Sequence, residues 1–295
     1  MTIKNNKFTP KEKIISQKQN KTIYRETKEI VKRLFTQTTR RPSTLLINVI
    51  QPILWLFMFG ALFQNAPIYL FEEYKLEYKG FLNSGILVFT AFSNSINAGL
   101  TIIFDREFGF LNRILISPIK NKNSLIYACL LHTWVITTIQ ILCIGGINLI
   151  VKQDIANIIL ELKNTITTLL VISTIIITIA NISIYSAFIL PGHIEFIGLT
   201  TLFSNLPTLF TSTALAPLSF MPNWLQFICC INPLTYAIEI IRQTTLCELF
   251  TFEQNIIQTE WIAISKQQSL IILIFITLTS FTLVQNIIKY KYDKT

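Results

Sequence analysis

A dense group of ionisable residues occupies residues 104–124, between two long apolar runs. Asp105, Arg106, Glu107 and Arg113 all fall within the first ten positions of this charged stretch. Side chains of both signs suit ionic contact with a water-soluble partner, and no nucleophile with a neighbouring base accompanies them. The stretch is therefore predicted to be the interior segment that meets such a partner, and not a catalytic centre.

Residues 105–116 are predicted to form an amphipathic helix, because the apolar side chains recur at i, i+4, i+7 and i+11. The residues on this stripe are Phe104, Phe108, Leu111 and Leu115. Asp105 is placed to cap the start, Pro118 ends the helix, and Arg106 and Arg113 share a second face. Such a helix, joined to membrane spans at both ends, either transmits movement from a water-side partner or lies on lipid headgroups.

Catalytic and metal-binding motifs do not occur in the sequence. Its two histidines lie in separate segments, and neither HExxH nor GxSxG is found. The five cysteines fall mostly within apolar runs and lack CxxC spacing, which is typical of small core residues. No GxxxxGK[ST] loop is present, so the chain is not expected to bind ATP itself. We expect no enzyme activity, no cofactor and no metal.

The elements that position the charged stretch are membrane spans. Hydrophobic residues make up 51% of the sequence, charged residues 14%, and the mean hydropathy is +0.52. Six charge-free intervals each reach the roughly 20 residues that a helix needs to cross a bilayer. Since backbone donors in lipid must be satisfied within a span, the prediction is an all-α polytopic membrane protein. The predicted spans cover about residues 45–63, 81–104, 124–151, 165–189, 196–216 and 269–288.

The run Phe196–Ile238 has 43 residues without charge and is too long for one span. If only its first half crosses, there are six spans, and 19 of the 25 Lys and Arg lie on the side of the N-terminus. The positive-inside bias favours this arrangement over seven spans and places both termini on the cytoplasmic or stromal side. Residues 217–240 are then predicted to be re-entrant, with Glu239 and Arg242 paired where the chain leaves the membrane. The helix breakers and interfacial aromatic residues of this segment are Pro217, Pro222, Trp224, Asn232, Pro233 and Tyr236.

Residues 1–44 form a basic tail that holds 12 of the 25 Lys and Arg. No nucleic-acid motif accompanies this charge, so nucleic acid is not expected as a partner. Apolar residues at helical spacing over 21–40 predict an interfacial helix with its basic face toward anionic lipid or a partner and its apolar face on the membrane. A solvated tail is the alternative. A second basic tail covers residues 289–295.

The second predicted span is polar on one side, where it carries Asn83, Asn94 and Asn97. Such residues either join helices or line a substrate path. His132 in the third span is expected to bond across to a neighbouring helix. Because no span carries a carboxylate or an arginine, an ion-coupled secondary transporter is not favoured, although it stays an alternative together with a membrane assembly scaffold.

Two stretches resemble the signatures of the ABC-2 type transport permeases. In the first, EFGFLNRILISP, the similarity rests on Glu107, Gly109, Leu111, Arg113 and the Ser–Pro step at Pro118. The second contains Asn205-Leu-Pro, Ala214-Leu-Ala-Pro, Met221-Pro-Asn-Trp and Asn232-Pro-Leu-Thr-Tyr, and it ends in Arg242. The departures are Phe110, Asn112 and Thr213, where the family usually has Thr, Glu and Gly. Order and spacing match over most of the chain from Arg40 onward.

This resemblance implies a permease subunit over residues 45–288 that pairs as a dimer and exports lipids, polysaccharides or drugs. A separate ATP-binding subunit would hold ATP and press on the charged stretch, and the re-entrant segment would shape the outer gate of the path. The residues implied in coupling are Asp105, Arg106, Glu107, Phe108, Gly109, Leu111, Arg113, Leu115 and Pro118. The abundance of Ile, Lys, Asn and Thr is typical of A+T-rich coding, so we expect an algal plastid membrane or, failing that, a bacterial inner membrane.

Overall fold

The computed structural model describes residues 19–62, 78–111, 113, 123–152, 158–189, 204–246, 255–259, 261 and 263–292. Helices make up nearly all of that part of the chain, which confirms the predicted all-α class. They are α1 (Gln19–Thr39), α2 (Pro42–Leu62), α3 (Tyr78–Ile96), α4 (Ala98–Glu107), α5 (Asn123–Lys152), α6 (Ile158–Ile189), α7 (Asn223–Ile231), α8 (Pro233–Leu246) and α9 (Lys266–Tyr292). Residues 204–210 are also helical, and Leu218–Phe220 form one 3-10 turn.

Five helical segments of the described chain are long and apolar enough to cross a membrane. They are Leu45–Leu62, Gly80–Glu107, Asn123–Gly146, Thr165–Ile189 and Lys266–Ile287. Each overlaps one of the predicted spans. The predicted span over 196–216 lies partly outside the described residues, and its described part contains the helix over 204–210. The pair α7 and α8 also passes the length and hydropathy test, which gives up to six crossings.

The second predicted span, over 81–104, corresponds to the candidate span Gly80–Glu107, but its helix is interrupted. α3 ends at Ile96, and α4 begins two residues later. The hydroxyl of Ser183 on α6 donates to the carbonyl of Ile96 at 2.5 Å and accepts the N–H of Gly99 at 3.0 Å. A side chain inserted into the backbone ladder breaks a helix in this way. Gly99 permits the approach, since a Cβ there would lie 2.5 Å from the Ser183 carbonyl oxygen.

α6 is the centre of the helix packing and contacts α3, α4, α5, α8 and α9. Its Ile175 and Ile176 are buried in the largest apolar cluster, together with Val88 of α3 and Ile241 of α8. Because lipid tails are as apolar as these side chains, close van der Waals packing rather than escape from water holds the helices together. The described helices are therefore held together mainly by their packing against α6.

Two hydrogen-bonded pairs attach α9 to α6. The Thr178 hydroxyl donates to the Thr277 hydroxyl at 3.0 Å, and the Asn181 amide donates to the Ser280 hydroxyl at 3.4 Å. Uncharged polar pairs of this kind between membrane helices are worth about 1 kcal/mol each. Only 17% of the α9 span is buried, and these pairs lie on the packed face of α9 together with the buried Leu273 and Val284.

α1 packs against protein, so the prediction that its apolar face lies on the membrane is wrong. Ile30 and Leu34 are buried in a cluster with Ile102 of α4 and Ile126 of α5. Periodicity in the sequence identifies an apolar face correctly, but lipid and a neighbouring helix both satisfy such a face. α1 is thus part of the folded helix assembly.

A short antiparallel hairpin precedes α9. β1 (Asn255–Gln258) pairs with β2 (Ala263–Ser265), and Ile257 stands opposite Ile264 in the register. Both isoleucines are buried in the cluster around α6. An isolated hairpin this short is not stable by itself, so its packing against the helices holds it in place.

Candidate functional site

The charged stretch begins inside α4 and not at the start of a new helix. Asp105 lies in the last turn of α4, which ends at Glu107, so the predicted helix over 105–116 with Asp105 as its cap is wrong. Gly109 causes the interruption: its φ of 69° lies in the left-handed region, which glycine adopts without steric cost. Helical backbone resumes one residue later.

The side chains predicted to meet a partner divide between an exposed and a buried group. The exposed ones are Glu107, Phe108 and Arg113. The Phe108 ring is 74% exposed, whereas Leu111 is only 2% exposed and belongs to the core beside α1. Leu111 therefore supports the fold and does not present a contact surface. Two further predicted residues, Leu115 and Pro118, lie outside the described residues.

Asp105 and Arg106 connect the end of α4 to neighbouring helices. Asp105 is buried and forms an ion pair with Arg33 of α1. The Arg33 guanidinium also lies over the ring of Phe110, 3.6 Å from its centroid. Arg106 donates to the carbonyl of Ala187 on α6 at 3.1 Å. We call this set of contacts the α4 junction, because it joins α1, α4 and α6.

Further contacts hold α1 on α5. The Thr38 hydroxyl is 2.8 Å from Nε2 of His132, and Phe35 packs edge-on against the same imidazole, with ring centroids 5.0 Å apart. The Ser124 hydroxyl donates to the Glu26 carboxylate at 2.9 Å. The prediction that His132 bonds across to a neighbouring helix is confirmed.

Replacing Arg33 by methionine is expected to loosen α1, since the buried Asp105 carboxylate then loses its counter-charge. In a double-mutant cycle with Asp105→Asn, we expect a coupling free energy of about 1 kcal/mol, because the pair is only partly shielded from water. Amide hydrogen exchange over residues 19–39 measures this change. Arg25→Met, an exposed residue on the same helix, is the control. Equal exchange rates for Arg33→Met and the unaltered protein would contradict the role of the pair.

The predicted re-entrant segment is a bent helix pair, in which α7 and α8 meet at 89°. Pro222 precedes α7, and Pro233 is the first residue of α8, where its missing N–H costs nothing. The side chain of Asn232 occupies the corner. Its carbonyl oxygen accepts the N–H of Leu234 at 3.0 Å, and its amide donates to the carbonyl of Thr211 at 3.1 Å. An angle this large is found in broken spans and in re-entrant loops.

The other residues predicted in this segment lie on both sides of the bend. The Tyr236 hydroxyl donates to the Cys230 carbonyl at 2.5 Å and so bridges α8 to α7. Pro217 leads into the 3-10 turn. Trp224 is 67% exposed, on a stripe of large apolar side chains that continues through Phe220, Phe227 and Ile231. Tyr236 thus holds the bend from inside, whereas Trp224 faces out of the chain.

Glu239 and Arg242 pair as predicted, and the pair is buried inside the protein. Both side chains are at most 1% exposed, and the guanidinium Nη1 lies 2.6 Å from the carboxylate Oε1. Arg242 also donates to the Thr213 carbonyl at 2.7 Å and to Ser84 Oγ at 3.3 Å, and it lies over the Phe81 ring. A buried charge is tolerated only when it is paired and hydrogen-bonded. Both residues lie outside the predicted spans, in the bent helix pair that is itself a candidate broken span.

The three asparagines predicted to line a path lie in different surroundings. Asn94 donates to Gln140 of α5 at 2.5 Å, and Asn97 donates to the carbonyl of Ser93 at 3.0 Å. Asn83 lies eleven residues before Asn94, about 16 Å along the helix axis. Asn94 borders a narrow opening between α2 and α3, which we call the α2–α3 cleft. The cleft is lined by Asn48, Gln51, Pro52, Trp55, Phe89, Thr90, Ser93 and Asn94.

Metal ligands do not gather in the helices and strands described above: among those residues, no three His, Cys, Asp or Glu side chains come together as a metal ion would require. Cys129 and Cys229 are buried in the two apolar clusters. Both are surrounded as small core residues are. The candidate functional sites are thus the α4 junction, the bent pair α7–α8 and the α2–α3 cleft.

Comparison with known proteins identifies one family. The profile of the ABC-2 type transporter family, ABC2_membrane, matches residues 25–246. A relative from Porphyra purpurea is 42% identical over 271 residues, which cover 92% of this chain and 91% of the relative. A relative from Cyanophora paradoxa is 43% identical over 262 residues, which cover 88% of this chain and 88% of the relative. A relative from Pyropia yezoensis is 41% identical over 279 residues, which cover 95% of this chain and 94% of the relative. All three carry the name "Putative transport permease ycf38".

The family match extends from α1 to the end of α8, so it includes the α4 junction, the α2–α3 cleft and the bent pair. The relatives align with nearly the whole chain. These matches agree with the two signatures found in the sequence. The chain therefore belongs to the ABC-2 type transporter family, as a multi-pass membrane permease.

Proposed function

We propose that this permease is the membrane subunit of an ATP-driven exporter and that a separate ATP-binding subunit drives it. The observation that carries the proposal is the α4 junction. Its ion pair joins α1 to α4 and its Arg106 bond joins α4 to α6, while Phe108 stands exposed beside Glu107 and Arg113. A soluble partner that binds these exposed side chains would act on α1, α4 and α6 together.

In the proposed mechanism, closure of the ATP-binding subunits displaces the α4 junction and shifts the spans between inward-open and outward-open states. α4 can tilt against α3, because the backbone ladder is already interrupted between Ile96 and Gly99. ATP shifts the permease toward one of these two states because ATP binds more tightly to the arrangement of the ATP-binding subunits that accompanies that state. The bent pair α7–α8, anchored to α3 by Arg242, is the proposed outer gate.

We propose a homodimer that forms through the membrane helices, with lipid covering the remaining apolar surface. Only 11% of the α2 span is buried, and Leu54, Phe57 and Met58 are all more than half exposed. An apolar face of this size is covered either by lipid or by protein. The family resemblance favours a second copy, and we place it on α2 because of this exposed face. The sparsely buried α9 then faces lipid.

We also propose that the protein lies in a plastid membrane with both termini on the stromal side. The concentration of Lys and Arg near the N-terminus supports the orientation through the positive-inside bias. The relatives from algae and the A+T-rich residue usage support the compartment. A fused reporter that reads the opposite side would argue against this orientation.

The proposed coupling predicts that an ATPase co-purifies with the tagged protein in mild detergent. Phe108→Ala should reduce the amount of ATPase recovered about tenfold or more, because it removes a central aromatic contact. Phe275→Ala is the matched control, since its ring is 66% exposed on the last span, away from the junction. Recovered ATPase activity per mole of permease is the measurement.

Two outcomes would contradict the proposal. If no ATPase accompanies the unaltered protein while its oligomer is intact, the exporter assignment fails, and a secondary transporter or scaffold replaces it. If the ATPase binds but Phe108→Ala and Phe275→Ala retain it equally, the docking surface lies elsewhere. Leu111→Asp is unsuitable for this test, because Leu111 is buried and its loss would unfold the junction.

A further inference from the structure

We propose that the α2–α3 cleft binds the headgroup of an uncharged amphiphile through the hydroxyl or amide groups of that headgroup. The inference rests on the proposed transport function and deepens it by naming the chemical class of the substrate. Five of the eight lining residues are polar, and none of the eight can ionise. A phosphate or ammonium group would find no counter-charge there, which is costly at membrane depth.

Several polar side chains in the cleft are without partners. In the helices that the structure describes, the side chains of Asn48 and Gln51 and the hydroxyl of Ser93 make no hydrogen bond. Thr90, by contrast, satisfies its hydroxyl on the Ile86 carbonyl at 2.7 Å. Lipid tails cannot hydrogen-bond, so free amides on a membrane span need another molecule. Their shared position across one cleft means that a single molecule can satisfy them together.

Among the described residues, a buried amide donor next to the cleft also lacks a hydrogen-bond partner. Gln140 is only 4% exposed, and its Oε1 accepts the amide of Asn94 at 2.5 Å. The Nε2 group of Gln140 has no acceptor in the described chain. A buried amide donor left without an acceptor is unfavourable. An oxygen-rich headgroup that engages Asn94 would bring acceptors to this side of the cleft.

The cleft is polar at one end and aromatic at the other, as an amphiphile is. On α2, Asn48 and Gln51 precede Trp55 by one to two helical turns. On α3, which runs the opposite way, Asn94 is likewise one turn from Phe89. The amides therefore lie toward the α1 end of the membrane, and the rings lie deeper. A headgroup at the amides would place its chain against the rings.

In this structure the cleft is closed. Its open volume is about 10 Å³, which is room for about one water molecule. Binding therefore requires α2 to move away from α3. This movement breaks few contacts, because only 11% of the α2 span is buried.

The test uses the full-length protein in nanodiscs, with Trp134, Trp224 and Trp261 replaced by Phe so that Trp55 is the sole tryptophan. The probe is octyl glucoside whose chain carries bromine, a tryptophan quencher, against the same brominated chain on trimethylammonium. We expect saturable quenching of Trp55 by the glucoside, with half-saturation at least tenfold below that of the cation. Asn48→Leu with Gln51→Leu should raise the glucoside half-saturation at least tenfold.

The matched control is Ile47→Ala with Ile50→Ala, the same spacing on the exposed face of α2, which should leave quenching unchanged. Equal affinity for the two probes, or unchanged binding in the Asn48 and Gln51 variant, overturns the proposal. The assay needs neither ATP nor an ATPase, so its failure is separate from failure of the proposed coupling.

Discussion

Arg242→Ala is expected to lower the free energy of unfolding by about 3–5 kcal/mol, because it breaks a buried ion pair and leaves one charge behind. Glu239 would stay at 1% exposure without its guanidinium, and the Thr213 carbonyl and Ser84 hydroxyl would lose a charged donor. The packing of the guanidinium against the Phe81 ring, 3.5 Å away, would be lost as well. We expect the bent pair α7–α8 to detach from α3.

Thermal unfolding of the purified protein in detergent, followed by helical circular dichroism, measures this loss. The double variant Glu239→Gln with Arg242→Gln should recover much of the stability, since it removes both charges and keeps hydrogen-bonding groups. Arg40→Ala, an exposed arginine at the end of α1, is the control. If Arg242→Ala unfolds within about 1 kcal/mol of the unaltered protein, the cluster does not anchor the segment.

Gly85→Ala is expected to destabilise the protein by about 1–3 kcal/mol or more, as overpacking of a tight contact does. A Cβ at this position would lie 2.4 Å from the Ala214 carbonyl oxygen and 2.7 Å from its Cα. Both atoms belong to the backbone, so the whole segment around Ala214 must move away from α3. The neighbouring bond between Arg242 and the Thr213 carbonyl would be stretched as a result.

The matched control for Gly85 is Gly145, which lies inside α5 with nothing within 4 Å of an added Cβ. Gly145→Ala should be neutral or stabilising by up to about 1 kcal/mol, because alanine favours helix over glycine. The two substitutions make the same chemical change in a helix, so the difference in their unfolding midpoints isolates the close approach at Ala214. A Gly85→Ala protein as stable as Gly145→Ala would contradict the contact.

The sequence predicts the spans well, because an unbroken apolar run has few alternatives to a membrane helix. It does not predict the break in the second span. That break depends on the hydroxyl of Ser183, 84 positions after Gly99. The helix over 105–116 failed for a related reason: the apolar spacing was helical, but the left-handed backbone of Gly109 interrupts it. Apolar periodicity predicts which face of a helix is apolar, but it does not identify a single residue that ends the helix.

The polar residues show the same limit. The pairing of Glu239 with Arg242 was readable from their spacing, whereas their burial depends on Phe81, Ser84 and Thr213, which are distant in the sequence. The sequence places Arg33 in the basic tail, and the one signal that distinguishes it is its position beside the apolar stripe of α1. Asn48 and Gln51 stand three apart in an otherwise apolar span, a signal that indicates polarity but not a cleft.

The two polar pairs between α6 and α9 have a consequence for the path of the chain. Thr178 with Thr277 and Asn181 with Ser280 are both separated by 99 positions, so the two helices run in the same direction. If each crosses the bilayer, the chain leaves α6 on one surface and starts α9 on the opposite one. The residues between α6 and α9 must then cross the bilayer an odd number of times. The six-span arrangement has one crossing between these helices, whereas the seven-span arrangement has two. Helix parallelism thus favours six spans independently of the distribution of charge.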